Sequence, residues 1–443
     1  MGLSALFAVF YAAALVLCAA DIVGKGESQP KRFSAGSAVP YVAVLLASYA
    51  ATLLLVWYAA THQHPWPAWR TNLPFPVVAR TADSAQLIAA AMLGLGAVQC
   101  WALVAVYRRR VPRAALVTGV AVLLLLSLCE PALISPDPYS YVADALLGPS
   151  AYAPPATRFA GEYGAINDGL GVPLPPSPYG PLWIALARMT ILAASSLVWQ
   201  VLAFRALGAA LFLAFLAGLA ALRVPARIFA VAALNPGLML QYVMNAHNEI
   251  FCITCVVWAA AVVRRTPAGA AAALVVAALV KLPFALLGLP IFVAVRSIAM
   301  RWTLAVAVIA AACALSWLGG GPAYLRALTH HLPFAGIADI LGVAASACAL
   351  LAIAGGVAMR RRWRSAVWLF PLMGSYPTPW YAAWGLGYAL KSRTVTAYLL
   401  VWFPLASLLV DTMFMQVWTL EFVVPAIALA CAVGLSRAER KPS

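Results

Sequence analysis

Two stretches of this sequence collect side chains suited to exchanging protons and holding anions. The first is Asp137-Pro138-Tyr139-Ser140-Tyr141, followed two turns on by Asp144. The second is Asn245-Ala246-His247-Asn248-Glu249, lying between two short apolar runs. A carboxylate at the edge of an apolar medium is costly to bury and is usually paired or functional. Further along, Lys281 interrupts the apolar run AALVKLPF, and Arg326, His330 and His331 share the segment GGPAYLRALTHHLPF. An aromatic band from Tyr376 to Trp384 includes Trp380 and Tyr381. Each group also has a plainer reading. Asp137 precedes a proline and could cap a helix that begins at Pro138. Asn245 or Asn248 could cap helices as well. Lys281 could reach along its stem to the membrane interface, and Trp380 and Tyr381 could belong to an interfacial belt.

The elements that must position these groups are membrane helices. The chain is 65% hydrophobic and 9% charged, with a mean hydropathy of +0.92. Apolar runs of spanning length recur throughout. Residues 2–20, 39–60, 84–107 and 114–134 are the clearest, and others follow at 198–222, 301–318, 340–358, 394–411 and 414–436. Shorter runs lie at 226–242, 248–263, 267–281, 283–297, 365–376 and 380–391. Short helices that turn back at Pro, Asn or Lys survive in lipid only when neighbours bury them. The expected fold is therefore all-α, with about fifteen transmembrane or half-membrane helices and no separate soluble domain. The first segment lacks the basic flank and small-residue site of a cleavable signal.

Residues 135–183 break the pattern: about fifty positions without a spanning segment. They carry Asp137, Asp144, Glu162 and Asp168, the tyrosines 139, 141, 152, 163 and 179, and a cluster of prolines. A loop this long is more often functional than merely connective. Charge gives it a side. Placing the basic turns at 25–32, 108–113, 223–227, 264–265, 296–301, 360–364, 391–393 and 437–441 in the cytoplasm accounts for 22 of the 29 Lys and Arg residues. The 135–183 loop and all five histidines then fall outside. The net charge of +16 is thus an orientation signal and gives no reason to expect nucleic acid. The eight cysteines sit in apolar segments and read as packing residues. His62-Gln63-His64 reads as a solvated loop, and no Walker loop or Gly-rich dinucleotide turn occurs.

Taken together, the motifs resemble those of the polyprenyl-phosphate-dependent mannosyltransferases of the GT-C superfamily. The resemblance rests on Asp137-x-Tyr139-x-Tyr141, Gly148 to Tyr152, and Ser177-Pro178-Tyr179-Gly180-Pro181-Leu182-Trp183. Asn235-Pro236, the Asn245–Glu249 turn, Lys281-Leu282-Pro283 and Pro379-Trp380-Tyr381-x-x-Trp384 follow in the same order. Glu249 stands where the family more often has Asp. The resemblance implies an inverting glycosyltransferase of the bacterial cytoplasmic membrane, working on its outer face. Its donor would be a polyprenyl-phosphate sugar, mannose by resemblance, and its acceptor a glycolipid or cell-envelope glycan. Asp137 would be the general base. Lys281, Arg326, His330 and His331 would surround the departing phosphate. Tyr139, Tyr141, Asp144, Tyr179, Asn245, His247, Asn248, Glu249, Trp380 and Tyr381 would contact sugar or acceptor. No cofactor or metal is called for, although Asp137 and Asp144 could share a divalent ion.

The organisation expected is an N-terminal helical part (1–113), a catalytic membrane core (114–390) and a C-terminal part (391–443). A lipid-linked glycan ligase or polymerase is the nearest rival. A transporter or flippase is the rival from another class, since broken helices and an intramembrane lysine would suit one too. No inverted repeat is apparent, however, and the ionisable groups gather on one face.

Overall fold

The computed structural model describes residues 36–62, 73–78 and 85–330, together with 400, 401, 403–405, 407 and 408. His331, Trp380 and Tyr381 lie outside the described residues, as do the expected spans at 2–20, 340–358, 365–376, 380–391 and 414–436. Among the described residues the fold is all-helical, and β structure is limited to two isolated bridges. Among the described residues, four helices are long and apolar enough to cross a membrane: Val39–His62, Leu87–Arg108, Leu197–Ala221 and Ile298–Leu328. Large apolar side chains such as Leu54, Trp101, Trp199, Val306 and Leu318 are exposed on their surfaces. That pattern suits lipid contact and would be a liability in water. Polar side chains within the spans pair with one another. The Tyr49 and Ser127 hydroxyls lie 2.7 Å apart, and Gln99 Nε2 donates to Thr52 Oγ1 at 3.0 Å.

The order is α1 (Val39–His62), α2 (Ala85–Arg108) and α3 (Arg113–Cys129), with α1 packed on α2. Next come α4 (Asp137–Leu147), a 3-10 turn at Gly148–Tyr152, another at Gly161–Tyr163, and α5 (Gly164–Leu170). The stretch after α3 is thus folded into short helices, and Tyr139, Tyr141, Val142, Ala143 and Ala145 of α4 join the hydrophobic core. Helices α6 (Pro181–Leu192) and α7 (Leu197–Ala221) follow. Then α8 (Ala226–Ala233) is stopped by Asn235-Pro236, where Asn235 caps the one-turn α9 (Pro236–Met239), its Oδ1 accepting from the Gly237 and Leu238 amides. The chain then widens into a π turn, Leu240–Met244, of the kind that often marks functional positions.

Helices α10 (Glu249–Val262) and α11 (Pro267–Val280) form an antiparallel hairpin. Its geometry places the first residue of α10 beside the residue that follows α11. Proline starts α11 at Pro267, and Pro283 ends it, leaving Lys281 in an extended conformation just past the last turn. A one-turn α12 (Phe284–Leu287) leads to α13 (Ile298–His330), which bends at Gly321-Pro322 and packs on α6 and α11.

Candidate active site

Asp137 opens α4, yet its side chain makes no cap; Pro136 occupies the cap position. Asp137 Oδ2 instead lies 2.9 Å from His247 Nδ1 and accepts from the Tyr141 hydroxyl at 3.3 Å. His247 is fully buried, while the Asp137 side chain keeps 24% of its surface exposed. The carboxylate is therefore held from behind and open in front. Burial works against its charge, but His247 first, and then Lys281 and Ser135, outweigh burial and hold the Asp137 carboxyl below the usual range. It is ionised at neutral pH.

The turn that carries His247 needs unusual backbone. Ala246 adopts a positive φ of 52° two residues past the end of the π turn. A non-glycine residue in that region is strained unless its surroundings enforce it. Here Asn245 enforces it, because its Oδ1 accepts from the Ile134 and Ser135 amides at 3.1 and 3.2 Å. The amide of Asn248 donates to the Tyr141 hydroxyl at 3.2 Å. Tyr141 thus bridges the two motifs. The Asn248 side chain makes no cap bond to α10, and both its polar atoms are buried without a partner among the described residues, as is Asn245 Nδ2. Buried polar groups are nearly always satisfied, so this cluster is shaped for polar groups from elsewhere.

Lys281 is buried and forms an ion pair with Glu249 Oε1, which rules out the interfacial reading. Its Nζ also lies 5.6 Å from the centroid of the Tyr179 ring, a cation–π distance. Tyr179 packs edge-on against Tyr141, with ring centroids 5.4 Å apart. Glycine makes this approach possible. A Cβ at Gly180 would come within 2.2 Å of the Leu279 carbonyl oxygen, and the Gly180 amide donates to Val280 O at 2.8 Å. The Ser177–Trp183 motif therefore docks by its backbone against the end of α11.

The remaining expected residues are placed differently. Tyr139, two residues from Tyr141 and so on another helix face, exchanges hydrogen bonds with the backbone of Phe75. Asp144 is buried and accepts from Ser177 Oγ at 2.7 Å, so it ties α4 to the SPYGPLW motif. Arg326 lies exposed beyond the bend of α13, and His330 ends that helix. No group of three His, Cys, Asp or Glu side chains suited to a metal ion occurs among the described residues.

Arg205 was not anticipated. It sits fully buried in the middle of α7 and donates to the carbonyls of Met244, Glu130 and Ala132. The available signal was a single guanidinium inside a 25-residue apolar helix.

The fold and these pairs define a membrane-embedded helical protein with a carboxylate–imidazole pair beside a buried cation. Residues 39–299 match the family described as alpha-(1->6)-mannopyranosyltransferase, N-terminal domain. The match spans well over half of the chain, which belongs to this family of mannosyltransferases. The resemblance read from the motifs is thereby borne out, and the glycosyltransferase class with it. No curated protein and no solved structure shows detectable similarity to the chain.

Proposed function

We propose that the protein is an inverting transferase that moves mannose from a polyprenyl-phosphate donor to a lipid-linked or cell-envelope glycan. The observation that carries this reading is the Asp137 carboxylate, ionised, oriented by His247 and Tyr141, and exposed on its remaining side. The acceptor hydroxyl is deprotonated by Asp137 as its oxygen attacks the anomeric carbon. The C1–O bond to phosphate breaks on the opposite face, and polyprenyl phosphate departs with the bonding electrons. Lys281 offers positive charge to that phosphate, exchanging part of its interaction with Glu249 for the incoming anion. Asn248, Asn245 and Glu249 present polar atoms for sugar hydroxyls. Tyr179 contributes an aromatic face beside the cation, and His330, His331 and Arg326 extend the phosphate region.

Tyr139 and Asp144 shape the sugar site from behind, and Trp380 and Tyr381 add aromatic surface. The catalytic core spans 114–390 within a GT-C-like bundle of about fifteen helices. Its site faces outward from the bacterial cytoplasmic membrane, as the distribution of Lys and Arg supports. The test is transfer of radiolabelled sugar by the purified protein from a panel of polyprenyl-phosphate sugars. Mannose should move, with inversion at C1; transfer from nucleotide sugars alone would overturn the donor class.

A further inference from the structure

Arg205 touches none of the groups assigned to the chemistry, yet it is among the largest fully buried side chains. A guanidinium within a spanning helix is tolerated when its donors find acceptors. Nε donates to Met244 O at 2.9 Å, Nη2 to Ala132 O at 2.7 Å, and Nη1 to Glu130 O, while the guanidinium lies 4.6 Å from the centroid of the Phe75 ring. These carbonyls come from two stretches far apart in sequence. Glu130 and Ala132 belong to the exit of α3, a few residues before Asp137. Met244 closes the π turn, three residues before His247. Asn245 adds a second tie between the same stretches through the Ile134 and Ser135 amides. One turn beyond Arg205, a Cβ at Gly208 would fall 2.2 Å from Tyr242 O, so the π turn lies directly on α7.

We propose that Arg205 is a positioning residue for the transfer reaction: it fixes the backbones that carry Asp137 and His247 and so sets their mutual geometry without touching substrate. The catalytic half of this statement rests on the function proposed for Asp137; the tie between the two stretches does not. Arginine is required because its planar fork directs donors three ways at once, whereas lysine offers a compact point charge. A displacement of about 1 Å at a reacting group costs roughly a hundredfold in rate.

The test uses the full chain in detergent or nanodiscs. In Arg205→Lys, hydrogen exchange should accelerate together in peptides covering 130–136 and 242–248 and stay unchanged elsewhere. The kcat should fall by roughly a hundredfold while KM for the donor stays nearly constant. Asn245→Ala should likewise accelerate exchange in both peptides, and Asn245→Asp, which keeps the acceptor oxygens, should restore the protection whatever it does to transfer. Wild-type kcat in Arg205→Lys, or exchange confined to one stretch, overturns the proposal. So does a matching rise in KM, which would mark direct substrate contact. If Arg205→Lys fails to insert, the two Asn245 variants decide by hydrogen exchange: equal acceleration in Ala and Asp, or none in either, would count against the tie. Coupled exchange in a wild-type protein that transfers no sugar would overturn the proposed function while leaving the tie standing.

Discussion

The Lys281–Glu249 pair gives the sharpest prediction about energetics. The Lys281 side chain keeps 10% of its surface exposed and Glu249 1%, so neither charge is rescued by solvent. Removing one partner leaves the other charge buried and uncompensated, which costs about 3–5 kcal/mol, whereas replacing both by neutral groups of similar size is often close to neutral. Lys281→Met and Glu249→Gln should therefore each destabilise the protein by that amount, and the double variant by far less than their sum. Thermal unfolding in detergent, followed by size-exclusion fluorescence, reads this order. Activity should separate from stability. The double variant should refold the core but still use the donor poorly, because the cation opposite the phosphate is gone. Additive single costs, each under about 1 kcal/mol, would show that the charges are solvated and independent, and the argument for a buried cation would fail.

Tyr141→Phe keeps the ring packing on Tyr179 and Trp183 but loses the bonds to Asp137 and Asn248. A hydrogen bond to a charged group is worth about 1.5–3 kcal/mol, so transfer should fall by tens to a hundredfold, and an unchanged rate would remove Tyr141 from the site. Burial, with a smaller push from the Asp137 charge, raises Asp144 to about 7 despite the Ser177 hydrogen bond. Above its ordinary 3.8 the unfolded chain releases a proton that the folded chain retains, so this group's stabilisation is full below that value and lost as pH rises to about 7. Asp144→Asn should flatten the stability profile across that window, and an unaltered profile would contradict the burial argument. Single cysteines introduced at Ser150 and Thr266 in a cysteine-free background should label from opposite sides of sealed cells, Ser150 from outside; labelling from one side would reverse the charge-based orientation.

Much of this centre was legible in the sequence, and the limits have physical causes. Asp137, Tyr141, His247 and Lys281 were legible because ionisable and polar groups are rare in apolar segments and each demands a partner. Their pairing was not legible. Asp137 and His247 lie 110 residues apart, and contact follows from a π turn and a strained Ala246 that no helical periodicity announces. Tyr139 and Tyr141 look equivalent in the motif, yet a two-residue step on a helix turns one toward Phe75 and the other toward Asp137. Lys281 and Glu249 are joined by the α10–α11 hairpin, which a reading segment by segment does not fold back. Arg205 was missed because its partners are backbone carbonyls, which carry no side-chain signature.

The most direct measurement of the central claim is the rate of mannosyl transfer by Asp137→Asn. Asparagine preserves the size of the side chain and an acceptor oxygen for Tyr141 and His247, so insertion and unfolding temperature should match the wild type. Loss of a general base costs about 10²–10⁴-fold, so kcat should fall by at least about a hundredfold with donor KM little changed. Near-wild-type transfer by the folded Asn variant would contradict the account and move the base elsewhere.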